Sequence, residues 1–294
     1  MAKHKALDRQ VVAITGASSG IGLATALAAA EKGASVALLA RSEEALKSIS
    51  EEISSAGGKA IALVVDVGDA DALNAAVDRI VSEFGRIDTW VNNAGVSIYG
   101  ALEEVGLEDA RRLFDTNFWG VVHGSLAALP HLRREGGVLI NVGSEVSEAV
   151  VPLQGMYAAS KHAVKGFTDS LRVEVENVDG SGASIVLIQP TAVNTPFPEH
   201  ARNYMDREPK LPDPQIDPGQ VAEAILEAAE RGGRDIKVGT MARFNIVASR
   251  LMPRLADRMS ARQVDKQQRD KPPVRPQGTL YEAGETGRVH GVRR

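Results

Sequence analysis

The chain has 294 residues, of which 44% are hydrophobic, and this is enough apolar material for a sizeable core. Its formal net charge of −4 argues against a nucleic-acid partner, and the absence of cysteine excludes disulfides, thiolate metal sites and cysteine nucleophiles. No apolar run approaches the roughly eighteen residues that a membrane span needs, and the basic N-terminus lacks a signal-peptide pattern. We therefore expect a cytoplasmic protein without a transmembrane segment, and we predict no metal site.

The first predicted elements are a short apolar strand at residues 11–14 and an alanine-rich helix that stops near Gly33. Between them lies a loop of pattern T-G-x-x-x-G-x-G, from Thr15 to Gly22. Glycines let a backbone approach a diphosphate closely, and the free N–H groups at the helix start meet its charge. The context predicts a dinucleotide-binding loop, although an ordinary glycine-rich turn is the alternative.

The second predicted strand, residues 35–40, indicates which dinucleotide is preferred. In such folds an acid near the end of this strand binds ribose hydroxyls and marks NAD, whereas an arginine accommodates the 2′-phosphate of NADP. Ala40 is not acidic and Arg41 follows it, so the sequence favours NADP(H) over NAD(H). A solvated arginine at a helix start is the alternative interpretation of Arg41.

Strands and helices continue to alternate as far as residue 240, and this predicts a single α/β domain over residues 1–240. Its core is a Rossmann-type, doubly wound parallel sheet of about seven strands with helices on both faces. The further strands are expected at residues 60–65, 88–91, 137–142, 183–188 and 235–238, and the main helices at 43–56, 69–84, 107–134, 157–178 and 217–230. Ligands of such sheets bind outside the carboxyl ends of the strands, where Thr15, Arg41, Asp66 and Asn92 fall.

Tyr157 and Lys161 are four residues apart on a predicted helix and therefore share one face. A nearby ammonium favours a phenolate, so Lys161 is expected to lower the pKa of Tyr157. Ser144, at a predicted strand end, could hold a substrate oxygen against the phenol, which makes a proton-transfer site for an alcohol or carbonyl. Asn117 lies on an apolar helix face, where a buried amide needs a polar partner.

The end of the chain differs from the rest. Residues 241–294 are predicted as a helical extension followed by a polar tail, with an amphipathic, arginine-bearing helix at 244–259. The tail is expected to be extended or disordered, or to order only against a neighbouring subunit. For the basic helix, a subunit interface or core packing is favoured over membrane attachment. Residues 197–218 are expected to form a partly helical loop over the site.

At this point the chain resembles the short-chain dehydrogenase/reductase family over about residues 8–240. The motifs that carry the resemblance are the Thr15–Gly22 loop, Asn92-Asn93-Ala94-Gly95, Asn117, Ser144, Tyr157 and Lys161. The resemblance implies that Tyr157 is the general acid/base, that Lys161 lowers its pKa and binds the nicotinamide ribose, and that Ser144 orients the substrate oxygen. It also implies that Asn117 holds a water that links the lysine to solvent.

The same resemblance implies a set of cofactor-binding residues. Asp66 and Val67 would contact adenine, Asn93 would brace the site, and Val193 and Thr195 would contact the nicotinamide carboxamide. The whole expected set is Gly16, Ser18, Ser19, Gly20, Ile21, Gly22, Arg41, Asp66, Val67, Asn93, Ala94, Gly95, Tyr157, Lys161, Pro190, Val193 and Thr195. One departure is that Thr191 follows Pro190 where the family commonly has glycine.

The predicted function is reversible NADP(H)-dependent hydride transfer between a ketone or aldehyde and an alcohol, in a homo-oligomer that is a dimer or a tetramer. An apolar substrate is expected, because the residues chosen as pocket lining are mostly apolar: Ile98, Tyr99, Val150, Val151, Pro152, Leu153 and Phe197. Two alternatives stay open, a catalytically silent NADP-binding regulatory or interaction protein and an isomerase or dehydratase that uses bound nucleotide.

Overall fold

A seven-stranded parallel sheet lies at the centre of the molecule, whose computed structural model describes residues 4–284 and 287–291. Its strands are β1 (Val11–Thr15), β2 (Ser35–Ala40), β3 (Lys59–Val64), β4 (Thr89–Asn92), β6 (Val138–Val142), β7 (Ser184–Pro190) and β9 (Asp235–Val238). They are ordered β3-β2-β1-β4-β6-β7-β9. A separate two-stranded pair joins β5 (Ile98–Tyr99) to β8 (Arg202–Asn203).

Helices follow the strands and cover both faces of the sheet. They are α1 (Gly20–Glu31), α2 (Glu43–Ser55), α3 (Ala70–Phe84), α4 (Leu107–Phe114), α5 (Gly120–Glu135), α6 (Gly155–Arg172), α7 (Phe197–His200), α8 (Pro218–Arg231), α9 (Thr240–Leu251) and α10 (Pro253–Ala261). Short 3₁₀ turns occur at Leu7–Arg9, Glu145–Ser147 and Asp265–Gln267. The predicted doubly wound α/β fold is confirmed.

Strand β1 shows why the sheet needs cover on both sides. All five of its residues are buried, and successive side chains point to opposite faces. Val12 and Ile14 join the core layer beneath α1, α2 and α8, whereas Val11 and Ala13 join the layer beneath α3, α5 and α6. A strand that is apolar at every position therefore fits only a sheet with helices on both faces.

The order of the strands fixes where a ligand can bind. The chain moves from β1 outward to β2 and β3, then returns to place β4 on the other side of β1. The connections after β1 and β4 consequently diverge, and a crevice opens between them at the carboxyl ends of the strands. The loops that carry Gly16 and Asn93 border this crevice.

The helix expected over residues 107–134 is interrupted. Between α4 and α5 lies a π-helical turn, Asp115–Trp119, and it contains Asn117. Single π turns within α-helices are frequent at functional sites because they shift one side chain out of the regular helical pattern. A second π segment, Val173–Asp179, extends α6 before β7.

No helix among residues 4–284 and 287–291 is long and apolar enough to cross a membrane. In the same part of the chain, no cluster of His, Asp and Glu side chains is arranged to hold a metal ion.

Candidate active site

The glycine loop after β1 is packed against the end of β4. Gly16 has φ +66°, and a Cβ there would lie 2.8 Å from the Cα of Ala94. A Cβ on Gly22 would lie 2.2 Å from the carbonyl oxygen of Gly16, so α1 can start this close to the loop only with glycine. The Thr15 hydroxyl oxygen accepts hydrogen bonds from the backbone N–H groups of Asn93 and Ala94, at 3.0 and 3.1 Å. These contacts hold the loop open toward the crevice.

Ser144, Tyr157 and Lys161 meet on the other side of the crevice. Ser144 follows β6, and its hydroxyl interacts by hydrogen bond with the Tyr157 phenol. Lys161 lies one helical turn beyond Tyr157 in α6, with its Nζ 5.7 Å from the centre of the phenol ring. The ammonium is buried and donates to the carbonyl oxygen of Val142 at 2.9 Å. The three side chains expected to share one site therefore do so.

The pKa values in this group are set mainly by burial. Burial raises the pKa of Tyr157, because a phenolate is poorly stabilised away from solvent. The hydrogen bond with Ser144 lowers the pKa in part, and the nearby Glu145 carboxylate raises it further, to about 12. This direction is opposite to the lowered value expected from Lys161. Burial also lowers the pKa of Lys161 to about 8. At neutral pH the phenol is consequently protonated and the ammonium is still mostly charged.

Asn117 lies behind the lysine and does not line the crevice. Its side-chain amide donates to the carbonyl oxygen of Val96 at 2.9 Å and to the hydroxyl of Ser160 at 3.1 Å, and its Oδ1 accepts from the N–H of Val96 at 2.8 Å. Ser160 in turn donates to the carbonyl oxygen of Tyr157 at 2.7 Å. The buried amide thus ties the segment after β4 to the first turn of α6, and its need for polar partners is met.

The end of the crevice beside β2 and β3 contains a charged cluster. Asp66, after β3, is paired with Arg112 of α4 and accepts from the N–H of Gly68 at 3.0 Å. Burial opposes ionisation of this carboxyl group, but the hydrogen bonds from Arg112 and Gly68 outweigh it, so the pKa of Asp66 lies below its usual value. Arg41 lies near the same cluster, and its guanidinium donates to backbone carbonyls of residues 279–282.

The family model described as short chain dehydrogenase matches residues 10–205. This chain belongs to the short-chain dehydrogenase family. The resemblance expected from the sequence motifs is therefore confirmed, and the fold of this family binds a nicotinamide cofactor.

Relatives of this short-chain dehydrogenase cover most of its length. An uncharacterised oxidoreductase of Bacillus subtilis is 45% identical over 287 residues, which cover 96% of this chain and 80% of that protein. The 3-ketodihydrosphingosine reductase of Bacteroides thetaiotaomicron is 38% identical, with coverage of 77% and 79%. Among solved structures, an alcohol dehydrogenase of the archaeon Thermococcus sibiricus, complexed with 5-hydroxy-NADP, has a TM-score of 0.68 at 29% identity and covers 78% of this chain and 94% of that chain.

The crevice of the short-chain dehydrogenase brings together almost every residue expected to bind the cofactor. Of that set only Gly22 does not line it, and Gly22 acts by allowing the close packing of α1. The lining members are Gly16, Ser18, Ser19, Gly20, Ile21, Arg41, Asp66, Val67, Asn93, Ala94, Gly95, Tyr157, Lys161, Pro190, Val193 and Thr195.

Several expectations about neighbouring residues were wrong. Asn92 does end β4, as expected, but it does not reach the crevice, because its side chain is buried and bonds to Asn141 at 2.8 Å and to the indole of Trp90 at 2.8 Å. Four of the residues chosen as substrate-pocket lining do not line the crevice. Ile98 and Tyr99 form β5 and are buried, and Pro152 and Leu153 lie outside the crevice lining as well. Val150, Val151 and Phe197 do line it.

Sequence reasoning missed three features of the site. Arg112 pairs with Asp66 from α4, in a predicted helix for which only the apolar face around Asn117 was noted. Glu145 lines the crevice, and its Oε2 accepts from Asn245 of α9 at 3.0 Å and from Thr191 at 3.2 Å. The C-terminal tail, expected to be disordered or to order on another subunit, lies against its own chain because Leu280 is buried there. Of these three features, only Glu145 could have been noticed in the sequence, because it directly follows Ser144.

Proposed function

We propose that the protein is an NADP(H)-dependent oxidoreductase that interconverts a ketone or aldehyde and the corresponding alcohol. The observation that carries the proposal is the convergence of Ser144, Tyr157 and Lys161 on one wall of a crevice whose opposite wall is the glycine loop. A hydroxyl pair beside a buried ammonium suits proton exchange with a carbonyl or alcohol oxygen. The relatives named above support an oxidoreductase.

The glycine loop fits a dinucleotide. A Cβ at Gly16 or Gly22 would collide with neighbouring backbone, so only glycine lets the loop and the start of α1 pack this closely where a diphosphate would approach. Asp66 and Val67 would contact the adenine, and Lys161 would bind the nicotinamide ribose. When bound, the nicotinamide supplies or accepts the hydride.

In the direction of reduction, the Ser144 and Tyr157 hydroxyls hold the substrate oxygen, and Tyr157 gives it a proton. A pKa of about 12 keeps the phenol protonated at neutral pH, which suits it to act as the acid. In oxidation the phenol must first lose its proton, and the Lys161 ammonium would then stabilise the phenolate. Asn117 holds α6 in register through Ser160, and the family resemblance gives it the further role of binding a water beside the lysine.

The substrate is proposed to be mainly apolar. Val146, Ala149, Val150 and Val151 contribute one side of the crevice, and the Phe197 ring lies 5.4 Å from the Tyr157 ring. A homo-oligomer is proposed as well, because large apolar side chains on α4 and α5 and at their junction are exposed, among them Leu107, Trp119 and Leu126. Light scattering of the purified protein tests the proposed homo-oligomer. Cell fractionation tests the proposed cytoplasmic location.

The test of function is a panel of ketones and aldehydes with NADPH, run beside NADH, for the wild type and Tyr157→Phe. We expect turnover with NADPH that is faster than with NADH, and loss of turnover in Tyr157→Phe with cofactor affinity nearly unchanged. Tyr204→Phe is the matched control, because the Tyr204 hydroxyl bonds to Asp109 at 2.7 Å, away from the crevice. Wild-type turnover in Tyr157→Phe would refute the acid/base assignment. Tight NADPH binding without turnover of any compound would favour a silent regulatory protein.

A further inference from the structure

The C-terminal tail crosses the cofactor crevice of its own chain. We call residues 278–284 and 287–291 the strap. Its first part lies against Arg41 at the end of the crevice beside β2 and β3, and its second part lies against the glycine loop and Thr195. Thr279, Ala283 and Gly284 line the crevice together with the expected cofactor-binding residues. The strap and a dinucleotide therefore share one groove.

Both terminal nitrogens of the Arg41 guanidinium donate hydrogen bonds to the strap. One of them donates to the carbonyl oxygens of Leu280 and Tyr281, at 3.3 and 3.2 Å. The other donates to the carbonyl oxygens of Thr279 and Glu282. Four N–H groups are available on these nitrogens, and four carbonyl oxygens accept from them. A phosphate that binds Arg41 in the usual forked manner needs the same N–H groups.

The glycine loop is also engaged by the strap. The N–H of Gly20, at the start of α1, donates to the carbonyl oxygen of Arg288 at 2.9 Å. In return the N–H of Gly287 donates to the carbonyl oxygen of Ser18 at 2.8 Å. A helix N-terminus is where a phosphate would receive backbone hydrogen bonds, and a carbonyl oxygen already accepts one of them.

The strap is anchored at one end and lightly held at the other. Leu280 is 1% exposed and packs with Val96, Ile98 and Leu113, so the first part is fixed by apolar burial. In the second part, Arg288 pairs with Glu199 at 2.8 Å and His290 pairs with Asp217 at 2.9 Å, both in exposed positions, and Val289 packs, partly buried, against the core layer beneath α1 and α8. Exposed pairs contribute little and Val289 is only partly buried, so the second part is held less firmly than Leu280 and can leave the groove while Leu280 stays in place.

We propose that the strap is an internal competitor for the cofactor site, and that a nucleotide with a 2′-phosphate must displace its carbonyl groups from Arg41 in order to bind. This inference rests on the proposed use of NADP(H). A nucleotide without that phosphate does not need the guanidinium and leaves the contact at Arg41 intact. The contact of the strap at Arg41 therefore lowers the affinity for NADP(H) more than that for NAD(H), while its contact at Gly20 opposes either dinucleotide, and any partner that removes the strap raises the affinity for NADP(H) most.

The first test follows the strap in the unmodified protein by amide hydrogen exchange, with 2′,5′-ADP and 5′-ADP as probes. We expect 2′,5′-ADP to speed exchange in peptides that cover residues 279–284 and 287–291, and 5′-ADP to have little effect on residues 279–284. The N–H of Gly287 is a direct reporter because it bonds to Ser18. Slower exchange with 2′,5′-ADP would show that the strap closes over the nucleotide, and unchanged exchange would show that the two bind independently. Either result overturns the proposal.

The second test unseats the strap by a substitution at a residue that does not line the crevice. Gly278 has φ +57°, and a Cβ there would lie 2.4 Å from the carbonyl oxygens of both His200 and Ala201, so Gly278→Ala displaces the start of the strap. Gly180→Ala is the matched control, because Gly180 has φ +62° and a Cβ added there would have no neighbouring atom within 4 Å. Equal thermal unfolding of the two variants would show that the fold is retained.

For Gly278→Ala we expect 2′,5′-ADP to bind about tenfold more tightly than to the control, within the usual range of coupling between two ligands, and 5′-ADP to gain much less. An unchanged or weaker affinity for 2′,5′-ADP refutes competition by the strap. The proposal that the crevice binds a nucleotide would remain, because both variants would still bind 2′,5′-ADP. If neither nucleotide binds to either variant, the proposed cofactor and the proposed competition both fail.

Discussion

Replacing Lys161 by methionine is expected to stabilise the protein while abolishing its proposed activity. The ammonium is 4% exposed, and burial lowers its pKa from 10.5 to about 8. Since each pKa unit corresponds to about 1.4 kcal/mol, keeping the lysine charged in the folded state at pH 7 costs about 3 kcal/mol. Methionine fills a similar volume without charge but leaves the carbonyl oxygen of Val142 without its donor, which costs about 1 kcal/mol. The net gain is about 2 kcal/mol.

The pH dependence distinguishes this cause from improved packing. Between about pH 8 and pH 10.5 the unfolded wild-type chain keeps the lysine proton that the folded protein has lost, so wild-type stability rises with pH. The advantage of Lys161→Met should therefore be full below pH 8 and shrink by about 1 kcal/mol between pH 8 and pH 9.

Urea unfolding at pH 7, 8 and 9 measures these differences. Lys165→Met is the matched control, one turn further along α6, where the ammonium pairs with Asp169 at 2.6 Å. Loss of that pair should lower the free energy of unfolding slightly. The reasoning is refuted if Lys161→Met is no more stable than the wild type at pH 7, or if its advantage is the same at pH 9.

Two further substitutions test neighbours of this lysine. Glu145→Gln should lower the pKa of Tyr157, because the Glu145 charge raises it. The rising limb of the kcat/KM profile for alcohol oxidation, which requires the deprotonated phenol, should therefore move to lower pH. Glu148→Gln is the control, and a limb that stays in place contradicts the assignment. Asn117→Ala should lower the free energy of unfolding by about 2–4 kcal/mol, because it leaves the buried N–H and C=O of Val96 unpaired. Urea unfolding measures this loss, and a loss below about 1 kcal/mol would show that water replaces the amide.

The alternation of apolar strands and amphipathic helices was sufficient to predict the sheet and the place of its ligand crevice. Glycine spacing located the loop after β1 because only glycine tolerates a carbonyl oxygen 2.2 Å from its Cβ position. Local patterns of this kind depend on residues close in sequence. They did not show that Asn92 is buried, since its partner Asn141 lies on a different strand.

Local sequence patterns could not predict the C-terminal strap, for the same reason. Its main acceptors are backbone carbonyls, which every residue carries, and its anchor Leu280 is a lone apolar residue in a polar segment. The direction of the Tyr157 pKa was also wrong, because sequence spacing gives the distance to Lys161 but not the depth at which both groups are buried.

The place of the two described chain ends has a practical consequence for handling the protein. Gly291 lies against Thr195, where a Cβ would be 2.7 Å from the carbonyl oxygen. Since the three residues that follow can span only about 10 Å, an affinity tag fused to residue 294 would be tethered near Thr195 and the crevice that it lines. His4 instead bonds to Gly136 at 2.7 Å, beside the amino end of β6, at the opposite edge of the sheet. Binding constants are therefore best measured on protein purified through an N-terminal tag that is then removed.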